Sequence, residues 1–245
     1  MRYVLAFLAA VWLVQIPGIA PADEIRTDVN IVTGLDVSGS IEAKETQIQI
    51  DGLAMAIRSP EVIAAIRSGR HGRVGFAVFV WANGNLPVFA EWRQIASAED
   101  ALALSEELSL RLHAILESTA ALKLGELTDL SGAIAFGGAM LLAAPYPTDH
   151  AILNIMGNGL DNVAEGPERA RNILVAQGVT INGVVIGHDR GVIGYFRRNV
   201  IGGPAAFVLP AGEPQTLVDV FKRKFVTEIV WNAGRAEDGA AQPLR

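Results

Sequence analysis

Three oxygen-bearing side chains stand at alternate positions in Asp36-Val37-Ser38-Gly39-Ser40, directly after the apolar run Asn30-Ile31-Val32-Thr33-Gly34-Leu35. One carboxylate and two hydroxyls near one point suit a hard cation such as magnesium, which takes oxygen ligands in near-octahedral geometry and keeps several waters. The same residues also have plain structural uses. Ser40 can cap a helix beginning at Ile41, and Ser38 is a common turn residue. Nucleophilic catalysis by Ser38 or Ser40 would need a base; His188, with Asp189 beside it, follows a strand-like run, but neither serine lies in G-x-S-x-G. The four histidines, His71, His113, His150 and His188, are far apart, and there is no cysteine. That pattern makes no case for a zinc enzyme and excludes disulfides and thiolate metal sites. Binding is favoured over catalysis.

The apolar pattern predicts the scaffold around these residues. Asn30 to Leu35 reads as a buried strand. Ile50, Leu53, Ala54 and Ile57 share one helical face and predict a helix from about Ile41 to Ile57. Arg73 to Trp81 is a second strand, Asn83-Gly84 marks a hairpin, and Pro87 confines the returning strand, Pro87 to Trp92, to an edge. Ser97 with Asp100 opens a helix whose stripe is Ala101, Leu104, Leu108, Leu112 and Ile115. A second helical face follows at Leu130, Ala133, Ile134, Gly137 and Leu141. Further strands are expected at Ala151 to Met156, Val179 to Ile186 and Ala205 to Leu209, with a helix begun by Gly166-Pro167 and a closing helix from Pro214 to Val230. The alternation predicts an α/β, doubly wound, mainly parallel sheet with helices on both faces and one antiparallel edge strand. Ligands of such sheets sit outside the carboxyl ends of the strands, where Asp36 falls. Trp81 and Trp92 read as core or cross-strand pairs, Gly202-Gly203-Pro204 as a tight loop, and Lys222-Arg223-Lys224 as the solvated face of the last helix.

Residues 1–22 read as a secretory signal: Arg2, an apolar run from Tyr3 to Ile16, the breakers Pro17 and Gly18, and the small-residue site Ala20-Pro21-Ala22. The run is shorter than the ~20 apolar residues of a spanning helix. Cleavage after Ala22 would leave one domain over 23–231 and a small, polar tail over 232–245 that is expected to be disordered. The expectation is a periplasmic or secreted protein without a membrane anchor. Losing Arg2 takes the formal net charge from −6 to −7, and an acidic surface repels nucleic acid.

D-x-S-G-S after an apolar first strand resembles the metal-ion-dependent adhesion site of the von Willebrand factor A domains. Thr180-Ile181-Asn182-Gly183-Val184 and Ile201-Gly202-Gly203-Pro204-Ala205-Ala206-Phe207-Val208 look like segments of a bacterial, exported branch of that superfamily. The resemblance runs from about Asp28 to Trp231. It implies a site built from three loops. Asp36, Ser38 and Ser40 match the first, and Thr128 matches the threonine of the second, though Thr128 also suits a helix cap. The third departs: where relatives carry Ser-Gly-Asp-Gly, this chain has Met156-Gly157-Asn158-Gly159. Asn158 keeps a carbonyl oxygen without the charge, and the Met156 thioether is a poor magnesium ligand. Asp129 or Asp161 would have to swing in to compensate. The resemblance implies a magnesium site, or a manganese one, completed by a carboxylate of a partner protein, with Gly39, Asp129 and Asp161 on the same partner-binding face. The runner-up is a relative whose metal site has decayed and which binds through apolar or hydrogen-bonding contacts.

Overall fold

In the computed structural model, residues 25–84, 86–119, 127–163, 166–212 and 217–239 are described. The expected signal segment lies outside them, and so do Pro214 at the expected start of the last helix and residues 240–245 of the tail.

Six strands form one sheet: β1 (Val29–Asp36), β2 (Val74–Trp81), β3 (Val88–Ile95), β4 (Ala151–Gly157), β5 (Val179–Ile186) and β6 (Val208–Ala211). Their spatial order is β3-β2-β1-β4-β5-β6, with every pairing parallel except β2 with the edge strand β3. β1 and β2 are buried at all positions. That explains their unbroken apolar runs: a strand covered on both faces has no polar side to show.

One face carries α1 (Ala43–Ile57), α2 (Pro60–Arg67), α3 (Ala98–Thr119) and α7 (Leu217–Gly239), packed on Ile31, Leu35, Phe76 and Val78. The other carries α4 (Leu130–Leu142), α5 (Glu168–Ala176), α6 (Arg190–Tyr195) and a π-helical turn at Phe196–Val200, packed on Val32, Phe79, Leu153 and Ile181. The expected α/β doubly wound sheet is therefore the observed one. Chain direction across the sheet reverses between β1 and β4, which opens a crevice at their carboxyl ends.

Local details differ from expectation in a few places. α2 went unread, although Ser59 caps it and Pro60 opens it. β6 begins at Val208 because Gly203 (φ 93) and Ala205 (φ 55) take a left-handed backbone that a strand does not accept. Pro167 is the N-cap of α5 instead of its first residue. α7 continues to Gly239, past the Asn232 at which a tail was expected. Lys224 is not on a solvated face; it is fully buried.

Candidate functional site

β1 delivers Asp36 to the carboxyl edge of the sheet, and β4 delivers Asn158 one residue past its own end. Asp36 and Ser38 are both completely buried, while Ser40 is exposed. Asp36 Oδ1 accepts the Ser38 N–H at 2.9 Å, the ordinary local bond of an Asx turn. Its other oxygen, Oδ2, is buried with no hydrogen-bond partner. A Cβ placed on Gly157 would stand 3.1 Å from that oxygen, 3.3 Å from Trp81 and 3.4 Å from Phe196, so the β4 backbone runs close to Oδ2 at this point. The Trp81 indole N–H is buried and unpaired as well. Burial pushes the Asp36 carboxyl from 3.8 up to about 6, against the opposing pull of Ser38 and of the Asn158 backbone N–H. Gln49, on the buried face of α1, donates to the Asp36 carbonyl at 3.3 Å.

The three loops meet. The Ser38 and Ser40 hydroxyls are 3.2 Å apart, and Ser40 Oγ donates to Asn158 Oδ1 at 2.9 Å. Asn158 Nδ2 returns a bond to the Ser40 carbonyl at 3.3 Å. Thr128 is buried, and its Oγ1 would lie 3.4 Å from a Cβ added to Gly159. Asn162 ties the second loop to the third: its Oδ1 accepts the Thr128 N–H at 2.8 Å, and its N–H donates to the Thr128 carbonyl at 3.1 Å. Asp36, Ser38, Ser40, Thr128 and Asn158 are thus brought to one place.

Other expectations change. Ser40 does not cap α1. Glu42 is that N-cap, and its N–H donates to Glu45 at 3.1 Å. Thr128 does not cap α4; Asp129 does, accepting the Gly132 N–H at 2.7 Å. Asp161 accepts from the backbone of Ser131 at 3.1 Å and Val163 at 3.2 Å. Both acids are therefore engaged in holding the loops. Gly39 is exposed on the rim. Met156 is buried in the core on the α1 and α7 face, away from the hydroxyls. Asp189 caps α6 through Gly191 and Val192.

Asn162 and Gln49 were missed in the sequence. Gln49 carried a signal, a polar residue next to the Ile50–Ile57 stripe, but Asn162 carried none beyond its place in a polar loop. Among the described residues no three His, Asp or Glu side chains gather as a metal-ligand group. The set around Asp36 is instead one carboxylate, three hydroxyls and an amide carbonyl, all hard oxygen donors, and Oδ2 of that carboxylate makes no hydrogen bond. Those donors fit a small divalent cation, with fewer charges than such an ion ordinarily draws.

A family model matches residues 26–233. The chain belongs to the family described as protein of unknown function DUF1194. Its fold is that of a von Willebrand factor A domain, as solved structures bear out. Proximal thread matrix protein 1 of the mussel byssus superposes with a TM-score of 0.57 at 16% identity, over 85% of this chain and 49% of that one. Another structure of that protein has zinc in its MIDAS motif (TM-score 0.55, 17% identity, 85% and 50% covered). A von Willebrand factor type A protein of Catenulispora acidiphila gives 0.57 at 18%, over 83% and 43%. The pilus adhesin SpaC of Lactobacillus rhamnosus GG gives 0.58 at 12%, over 84% and 31%. This chain therefore spans half or less of these proteins' lengths. The comparison with curated proteins gave no match.

Proposed function

We propose that this DUF1194 chain is an exported, non-enzymatic protein-binding module that meets its partner through the face around Asp36, Thr128 and Asn158, with a weakly held magnesium ion. The observation that carries the reading is the buried carboxylate of Asp36, whose Oδ2 makes no hydrogen bond, at the strand end where the oxygens of Ser38, Ser40 and Asn158 are linked. A buried carboxylate without a counter-charge costs stability, and a cation supplied from solution removes that cost. Asp36, Ser38, Ser40, Thr128 and Asn158 would hold the ion, and manganese suits the same donors. Bound there, the ion offers an electrophilic position to a carboxylate of the partner and inverts the local acidic field. Asn158 lacks the charge an aspartate would bring. At an effective dielectric of about 20, a charge pair some 4–5 Å apart is worth roughly 3–4 kcal/mol before desolvation, and half of that weakens binding at least about tenfold. Export rests on the pattern of residues 1–22. The adhesin and matrix-protein neighbours are compatible with an interaction role, and the use of Asp189 as a helix cap weighs against a hydrolase.

A metal-free interaction surface is the second reading, favoured by two features. The two-way bond between Ser40 and Asn158 closes the first loop on the third without an ion. Leu127 and Leu160, 41% and 49% exposed, flank Thr128 and Asn158 with apolar surface. Calorimetric titration of magnesium and manganese into wild type, Asp36→Ala and Asn158→Asp separates the readings. The metal-assisted reading expects binding by wild type, none by Asp36→Ala, and at least about tenfold tighter binding by Asn158→Asp. Heat from Asn158→Asp alone overturns it in favour of the metal-free surface.

A further inference from the structure

α1 and α3 pack side by side over the sheet, and their outer surfaces are less polar than solvent-facing helices need to be. Leu110 of α3 is 74% exposed, the most of any large apolar side chain among the described residues, and Met55 of α1 is 48% exposed. Both stand at a groove of about 540 Å³ between the two helices. Its floor is made of small side chains, the buried Ala54 and Ser105. The Ser109 hydroxyl, also in the groove, is spent on the Ser105 carbonyl at 3.1 Å and so asks nothing of an occupant. A small-floored groove between two exposed apolar side chains takes large apolar side chains from outside.

The charges beside the groove say what the occupant is. Asp51, Met55 and Arg58 are four and then three residues apart, so they share one ridge of α1, roughly 10 Å long. Met55 and Arg58 are exposed and Asp51 is half-buried. Among the described residues neither Asp51 nor Arg58 enters an ion pair, and nor does the exposed Glu106 on the α3 wall. An unpaired acid and an unpaired base therefore flank an exposed apolar residue at nearly equal distances. Turned end for end, that ridge is its own complement. Two copies laid antiparallel about a twofold axis beside Met55 set Asp51 of each opposite Arg58 of the other. A different protein would require no such symmetry of charge.

From this arrangement we infer that the α1–α3 face is the interface of a symmetric homodimer, with Asp51 and Arg58 paired across the twofold axis and Met55 and Leu110 packed between the copies. The apolar side chains at the centre supply the affinity, and the two ion pairs at the rim fix the antiparallel register. Asp51 to Arg58 is the half of α1 that lies away from the Asp36 loop, since the helix begins just after that loop. The proposal therefore does not depend on the three-loop face or on any cation bound there.

The test is sedimentation velocity of the full chain from roughly 1 to 100 µM, at about 0.1 M salt. Wild type is expected to move from the chain mass to twice that mass across the range. Arg58→Asp sets acid against acid at both symmetric positions and is expected to weaken association at least about tenfold, and Asp51→Arg does the same with two bases. The double variant Asp51→Arg with Arg58→Asp rebuilds both pairs in the reversed sense and is expected to return to within about threefold of wild type. Leu110→Ser should weaken association at least about tenfold while unfolding at the wild-type temperature, because its side chain lies on the surface of the single copy. Asp36→Ala should dimerise as wild type does. Thermal unfolding of the charge variants checks that each keeps its fold. A chain that stays monomeric throughout overturns the inference and leaves this face to a different protein. Association that survives Arg58→Asp overturns it too, as does a double variant no better than the single ones.

Discussion

Replacing Asp36 by asparagine should remove the charged ligand of the candidate ion and, in the absence of metal, stabilise the protein. Burial holds the Asp36 carboxyl at about 6 against an ordinary 3.8. A gap of about two units corresponds to about 3 kcal/mol. The sign follows from proton counts. Between the two values, the folded chain retains a proton that the unfolded chain has released, so stability falls as pH rises. The penalty is absent below about pH 3.8, grows through about pH 6 and is complete above it. Asparagine keeps an acceptor for the Ser38 N–H and puts a neutral amide in place of Oδ2, whose unpaired N–H costs about 1 kcal/mol. The net gain near neutral pH is about 2 kcal/mol, which raises the Tm of a domain of this size by about 4–8 °C. Thermal unfolding of both proteins in chelator, near pH 7.5 and near pH 4.5, measures it. The variant should unfold higher at the first pH, and the difference should vanish at the second. Added magnesium or manganese should raise the Tm of wild type and leave the variant unchanged. An Asp36→Asn protein that unfolds below wild type at pH 7.5 in chelator refutes the claim that this carboxylate is an uncompensated buried charge.

Other substitutions probe the three-loop face and the buried Lys224–Glu228 ion pair of α7. Lys224→Met strands the buried Glu228 carboxylate and should cost about 3–5 kcal/mol in urea unfolding, whereas Lys224→Met with Glu228→Gln should recover much of the loss. Gly157→Ala puts a methyl 3.1 Å from Asp36 Oδ2 and 3.3 Å from Trp81; the overpacking should cost about 1–3 kcal/mol and weaken cation binding in calorimetry. Asn162→Ala frees the Thr128 N–H from its acceptor, at about 1–2 kcal/mol of chemical stability, and should lower cation affinity through Thr128 with Asp36 untouched.

What could be read in the sequence depended on whether a signal was local. β1 and β5 announced themselves as β-branched runs, and Ser97 and Asp100 exchange the capping bonds their spacing implied, at 3.1 and 3.0 Å. Asp36, Ser38 and Ser40 were legible because one strand end carries all three. The network in which Glu228 pairs with Lys224 and accepts from Asn154 and Asn182 was not. Asn154 and Asn182 come into line only when β4 and β5 pair in the observed register, a non-local fact. Even so, Lys224 and Glu228 fall between Phe221, Phe225 and Ile229 at helical spacing. That periodicity already set them on the buried face of α7, against their polarity. The short α6 and the π-turn left too few residues for a period to show. There, Asp189, read from the sequence only as the neighbour of His188, is the cap of α6.

The third loop shows why composition of the site and strength of the site have to be separated. An aspartate at position 158 would bring a second carboxylate toward Asp36, repelling it whenever the ion is away. Asparagine removes that repulsion and adds a donor: Nδ2 reaches the Ser40 carbonyl while Oδ1 accepts from the Ser40 hydroxyl. No carboxylate can make both bonds in its ionised form, since it has only acceptors. The substitution therefore exchanges attraction for the ion against closure of the loops without it. Ser40 and Asn158 hold the face in shape, while Asp36 keeps the charge that a cation would neutralise. Under the proposed reading, a surface of that kind would stay assembled at cation concentrations where a two-carboxylate site would be splayed by its own charge, and it would respond to the ion over a higher concentration range.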